Sequence, residues 1–126
     1  MKRSWIGLIL LLVLLAGGIA VTWAMDRIHS PIGEDLQQAA RYAMQGDWIN
    51  AGTLFRGARE DWKKWEHFRA CFADHGPMEE IDGDLELLEL YCEAREEAAF
   101  AAESCRLARK IAAMGEAHEF VWWNIL

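Results

Sequence analysis

The chain has 126 residues, 20 acidic and 13 basic, for a formal net charge of −7, and this length leaves room for one domain beyond a membrane or targeting segment. Lys2 and Arg3 precede a hydrophobic start, and removing those two positives leaves −9 for the rest. A domain so acidic repels phosphate backbones and anionic headgroups, which speaks against nucleic-acid binding and against a peripheral membrane patch. Ala, Leu and Glu are abundant and Pro occurs twice, a helical composition.

From Trp5 to Ala24 no residue is charged. Twenty helical residues span about 30 Å, the thickness of a bilayer's hydrocarbon core. Trp5 and Trp23 sit near the two ends, where indoles favour the headgroup level. Residues 1–25 therefore read as a single-pass anchor, with Lys2 and Arg3 cytoplasmic and the rest of the chain extracytoplasmic. The rival reading is a cleaved signal peptide, with Ile6–Ala16 as its apolar core and a cut near Ala20 or Ala24. Trp23 beside the cut and the continuous apolar length favour retention. Both readings put the domain outside the cytoplasm.

Residues 26–30 read as a short polar link and 31–126 as an extracytoplasmic helical domain. Ser30 offers an N-cap oxygen, and Pro31 suits a first helical position. Ile32, Leu36, Ala39 and Ala43 form a stripe on the helix that follows, which Gly46 should stop. Asp47 then caps a second helix whose Trp48, Ala51, Phe55, Ala58, Trp62 and Trp65 make an aromatic seam. A turn is expected near His75-Gly76-Pro77, because proline disfavours helix in the residue before it.

A third helix should start near Met78 and turn Met78, Ile81, Leu85, Leu88 and Cys92 inward. A tight turn near Arg95–Ala98 separates it from a fourth, on which Ala101, Cys105, Ala108, Ala112 and Gly115 form a small-residue stripe. That stripe is expected to receive the seam of the second helix. The fold class is all-α: an N-terminal transmembrane helix, then a small antiparallel bundle of about four helices in two αα-hairpins. An offset of 49 aligns Ile32 with Ile81, Leu36 with Leu85 and Tyr42 with Tyr91, while an offset of 50 aligns Asp47 with Glu97 and Ala51 with Ala101. This is a faint duplication of tetratricopeptide-like character.

Gly46-Asp47-Trp48, Trp62-x-x-Trp65, Asp74-His75 and Glu79-Glu80-Ile81-Asp82 follow the short anchor in that order, and the chain closes on Asn124-Ile125-Leu126. In these features it resembles a bacterial domain-of-unknown-function family of short single-span helical proteins, found mainly in anaerobic Gram-positive bacteria. The resemblance covers nearly the whole chain. Gly83 and the three cysteines depart from the family pattern. The family has no assigned activity, so the resemblance implies an architecture and leaves function open.

His67, Cys71 and His75 are the right residue types for zinc or copper. On one straight helix their ends would lie about 12 Å apart, too far for one ion to reach all three. The default for them is structural, with His75 capping a turn alongside Asp74. Asp82, Asp84, Glu86 and Glu93 match positions of a calcium-loop template, but Leu87 stands where the template needs Gly, so a solvated acidic face is expected. Cys71, Cys92 and Cys105 are odd in number; Cys92 and Cys105 flank the last turn symmetrically, and either a disulfide or two packed thiols would fit. No Ser-His-Asp set, phosphate loop or HExxH occurs, and no enzyme and no cofactor are expected. Trp122 and Trp123 point about 100° apart on a helix, so one of them is a candidate partner contact. The leading expectation is a membrane-tethered interaction module acting with another membrane or envelope protein. The alternative is an extracytoplasmic ligand or metal sensor.

Overall fold

A single helix, α1 (Lys2–Met44), carries both the apolar run and the first stripe of the bundle. The computed structural model describes the backbone of residues 2–72 and 75–124, and the side chains of residues 3–71 and 75–114. Residues 26–30, expected as a link, are helical, and Pro31 lies inside α1 and does not open a new helix. An interior proline removes a backbone hydrogen bond and costs about 3 kcal/mol. Packing offsets it: Met25, His29, Ile32 and Leu36 are all buried at helical spacing, one stripe running straight through the proline.

After α1 come α2 (Trp48–Lys64), a short α3 (Glu66–Phe72), α4 (His75–Ala94) and α5 (Glu97–Asn124). No strand occurs among the described residues. The protein is all-α, with two antiparallel hairpins, α1–α2 and α4–α5. Half of α1 is the central element of the bundle, packed along α2 on one side and α5 on another, while α4 leans on α5. The core unites Leu36, Ala39 and Ala43 of α1 with Phe55 and Trp62 of α2, Ile81, Leu85 and Leu88 of α4, and Phe100, Leu107 and Ile111 of α5.

The two hairpins turn in the same way. Gly46 donates to the Ala43 carbonyl at 3.0 Å and Asp47 to the Tyr42 carbonyl at 2.9 Å; Arg95 donates to the Cys92 carbonyl at 3.2 Å and Glu96 to the Tyr91 carbonyl at 3.0 Å. Each pair is a Schellman C-cap, whose C′ residue must enter the left-handed region. Gly46 does so at φ 76° without cost, and Arg95 at φ 53° with its Cβ crowding the backbone. Arg95→Gly should accordingly stabilise the protein by about 1 kcal/mol, read as a rise in thermal midpoint.

One offset of 49 residues relates both arms of the hairpins. It pairs the buried Ile32, Leu36 and Ala39 with the buried Ile81, Leu85 and Leu88, and the buried Ala51, Ala58 and Trp62 with the buried Phe100, Leu107 and Ile111. The shift to 50 expected for the second arm does not occur, because the two turns have equal length. The repeat is longer than the tetratricopeptide period of about 34.

Three expected packing details are corrected. Trp65 is 39% exposed and does not join the seam, because α2 ends at Lys64. The buried face of α5 is Phe100, Ser104, Leu107, Ala108, Ile111 and Met114; Cys105 and Ala112 are exposed and Ala101 is half-buried. The larger side chains lose more water-accessible area on burial, so they orient the helix. Buried small residues lie also on α1, at Ala39, Ala40 and Ala43, and α1 packs along both α2 and α5.

Candidate functional site

The groups with unusual environments gather where α2 ends, beside His29 of α1. Lys63 and Lys64 in the last turn of α2 complement its dipole, and the chain breaks at Trp65 to start α3. From α3, Arg69 reaches back under α2, fully buried, and its guanidinium donates to the Trp62 carbonyl. That satisfies one of the carbonyls a helix end leaves without partners. The guanidinium also lies 3.5 Å from the Trp62 ring centroid, a desolvated cation–π contact. Arg69 Nε and Nη1 make no hydrogen bond. Burial pushes this guanidinium down to about 10, opposed by Asp82 and Glu66, so it remains a cation at neutral pH. The Trp62 indole N–H donates to Asp82 Oδ1 at 2.8 Å, and the His29 and Trp62 rings lie 6.0 Å apart.

Next to this cluster a cleft of about 390 Å³ opens between α2 and α4. Its walls are Arg59, Trp62, Lys63 and Glu66 on one side and Asp82, Leu85 and Glu86 on the other. Two cations and three carboxylates around an indole make a polar, open recess. It can hold a small zwitterionic or polar molecule by hydrogen bonds; it holds no nucleophile paired with a base.

Farther along α4, Asp84 accepts from Arg106 and from Lys110 Nζ, each at 2.8 Å, and Glu103 also engages Arg106. The Asp84 hydrogen bond raises Lys110 above its ordinary value. The two Asp84 pairs clip α4 to α5 at the surface, where each contributes at most about 1 kcal/mol. Across the bundle, burial and then the charges of Asp61 and Glu34 hold Asp35 above the usual carboxylate range. A raised carboxylate destabilises the fold once it is ionised and is relieved as pH falls through its folded value. Asp35→Asn should raise the melting temperature at pH 7, and the gain should vanish near pH 3, where the wild-type carboxyl is protonated as well.

The residues singled out by type do not converge. His67 and Cys71 lie exposed on α3, with the Cys71 thiol donating to the His67 carbonyl at 3.4 Å, and His75 is the exposed first residue of α4. His67 and Cys71 belong to α3 and His75 opens α4, so the three do not stand on one helix. Asp82, Asp84, Glu86 and Glu93 stand on the continuous helix α4, where a calcium template needs a loop. Among the described residues no group of three His, Cys, Asp or Glu is arranged to hold a metal. Unfolding followed with a chelator, and then with added zinc or calcium, should give one midpoint; a native-state site at one hundred times its dissociation constant would raise stability by about 2.7 kcal/mol. All three cysteines are free; burial pushes the half-buried Cys92 thiol up, and Cys71 and Cys105 are exposed.

At the other end of α1 the apolar run is exposed from Trp5 to Gly17. Trp5 is 66% exposed and Trp23 60%, with Arg27 stacked 4.2 Å from the Trp23 ring. α1 is long and apolar enough to cross a membrane. Trp122 and Trp123 fall on α5, and their side chains lie outside the described residues.

A family model describing a domain of unknown function, DUF4363, matches residues 20–125. The chain belongs to this family. The DUF4363 match takes in the last residues of the apolar run and nearly all of the bundle, which agrees with the resemblance read from Gly46-Asp47-Trp48 and the Trp62-x-x-Trp65 pair. No curated protein and no solved structure matches the chain. Gly83 is exposed on α4 with nothing within 4 Å of where a Cβ would stand, so packing does not demand glycine there. Arg69 and His29 escaped sequence reading altogether. The only signal was their helical register with Trp65 and with Met25, and charge or polarity argued for the surface in both cases.

Proposed function

We propose that the protein is a membrane-tethered interaction module, its bundle held outside the cytoplasm to act with another membrane or envelope protein. The observation that carries this reading is the continuity of α1, which leaves the apolar run and becomes the central helix of the bundle without a break. A flexible linker would let the bundle explore many heights above a bilayer, whereas one stiff helix fixes its height and facing. Twenty residues separate Ala24 from Met44, about 30 Å of helix. At that far end Met44 is 57% exposed and Ile49 83% exposed, an apolar pair at the height where a neighbouring ectodomain would meet it. Lys2 and Arg3 ahead of the run support a cytoplasmic N-terminus.

The test is a photo-crosslinker at Ile49 of the full chain in its native membrane, with one at the exposed Arg109 as control. The reading expects a discrete adduct from residue 49, absent at 109 and lost when Met44→Asp is added. Equal or absent labelling at both positions would sink it, as would a mature protein whose intact mass begins at Val21 or Met25. The cleft between α2 and α4 favours a second reading, an extracytoplasmic sensor of a small polar ligand. A ligand that raises the melting temperature of wild type, and not that of Glu86→Ala, would support it over the first.

A further inference from the structure

We propose that the last turns of α5, residues 120–124, lie inside the bilayer beside α1, in the leaflet nearest the bundle, so that the protein holds the membrane by two helices of unequal depth. The proposal rests on reading α1 as a membrane span. Its argument starts from register. Phe100, in the first turn of α5, packs against Trp48 and Phe55 near the α1–α2 turn. Ala108 comes next to Gly33, its carbonyl 3.6 Å from where a Cβ would stand. α5 therefore runs back along α1 towards the apolar run. Sixteen residues remain in α5 after Ala108, and sixteen residues before Gly33 is Gly17. Antiparallel helices advance together at about 1.5 Å per residue, so residues 120–124 draw level with about residues 17–21 of α1.

Burial along α1 supports this. Gly18 is buried, Val21 and Thr22 are half-buried, and Met25 is fully buried, continuing the His29, Ile32 and Leu36 stripe into a run whose other faces are exposed. α2 cannot cover Gly18, because its Trp62 already lies beside His29 and the helix ends two residues later. α3 packs on the end of α2, and α4 begins only at His75. Among the described helices, α5 is the one long enough to reach. Polarity changes at the same level on both helices. The last acidic residues of α5 are Glu116 and Glu119, and Phe120-Val121-Trp122-Trp123 follow without charge; on α1 the charge-free run ends at Ala24, with Asp26 beyond. The partner this end of α5 fits is therefore the acyl layer and the glycerol level of the lipid, with the buried Gly18 offering no side chain on that face of α1.

The full chain in lipid nanodiscs tests it. Cys71→Ser, Cys92→Ala and Cys105→Ser free the chain for single nitroxide labels at 121, 122 and 123, and at the reference positions Ile19 and Ala102. Three successive helical positions cannot all face α1, so at least one label should favour oxygen over a water-soluble nickel chelate, as the label at 19 does. If 19 reads as lipid while 121–123 all read like the exposed Ala102, the insertion is wrong and the span stands. Low access to both reagents at all three positions, an end enclosed by protein, overturns it equally. If 19 itself reads as water, the span reading falls and takes this one with it. A second measurement needs no cysteine change: brominated lipids should quench the indole fluorescence of wild type more than that of the Trp122→Phe, Trp123→Phe double variant. Equal fractional quenching in the two would overturn the proposal.

Discussion

Trp62→Ala should be among the most damaging single changes in the bundle, costing about 3–5 kcal/mol against a total of about 5–15 for a domain of this size. Trp62 is 2% exposed and carries three roles at once. Its ring packs in the core shared by α1, α2 and α4, its N–H donates to Asp82, and its face makes a cation–π contact with the buried Arg69. Asp82 is exposed and can turn to water, so little is lost there. Arg69 cannot, and a desolvated cation–π contact is worth about 2 kcal/mol. Unfolding of the full chain in detergent, followed by far-ultraviolet circular dichroism, reads the change. Trp65→Ala is the control, because it removes the same ring three residues later from a site 39% exposed, and it should cost less than about 1 kcal/mol. Equal costs at the two positions would mean that the end of α2 packs otherwise than described.

Phe100→Ala should rival it, again at about 3–5 kcal/mol. Phe100 is fully buried and meets Trp48 and Phe55 edge-to-face, at ring separations of 5.5 and 6.0 Å. It is the side chain by which the second hairpin grips the first near the turn. Because the rings contact each other, Phe55→Ala and Phe100→Ala should not add. A double-mutant cycle should return a coupling of about 0.5–1.5 kcal/mol, the value of such aromatic pairs beyond their area. Zero coupling with two large single effects would place the two rings in separate environments.

Helix content, the apolar span, the stop at Gly46, the Asp47 cap, the turn at Arg95 and the inward faces of α2 and α4 could all be read from the residues. Each rests on chemistry that acts within about one helical turn: a left-handed C′ position, a side-chain cap, an apolar residue every three or four places. The duplication belongs to the same class, although its constant offset of 49 became plain only when both turns were seen to close with the same two hydrogen bonds. The membership in an uncharacterised family was legible too, from short motifs in order.

What failed were the judgements that depend on which helix meets which. Pro31 has the chemistry of a first helical position, and the burial of Met25 and His29 before it and of Ile32 and Leu36 after it makes an interior proline tolerable. The small residues of α5 have the spacing of a receiving surface for the seam, yet α1 packs along both α2 and α5 and carries the buried Ala39, Ala40 and Ala43, while α5 turns Phe100, Leu107 and Ile111 inward. Nothing in the sequence marks Arg69 for burial, because a charge ordinarily lies at the surface; its burial follows from the break at Trp65, which brings α3 under the end of α2 and offers Arg69 an indole face and an orphaned carbonyl. Local stereochemistry by itself determined the elements and their ends. The pairing of faces, and with it the placement of Arg69, the cleft and the far end of α5, was decided by tertiary packing, because the free energy of burying a side chain depends on what lies opposite it and no local pattern carries that.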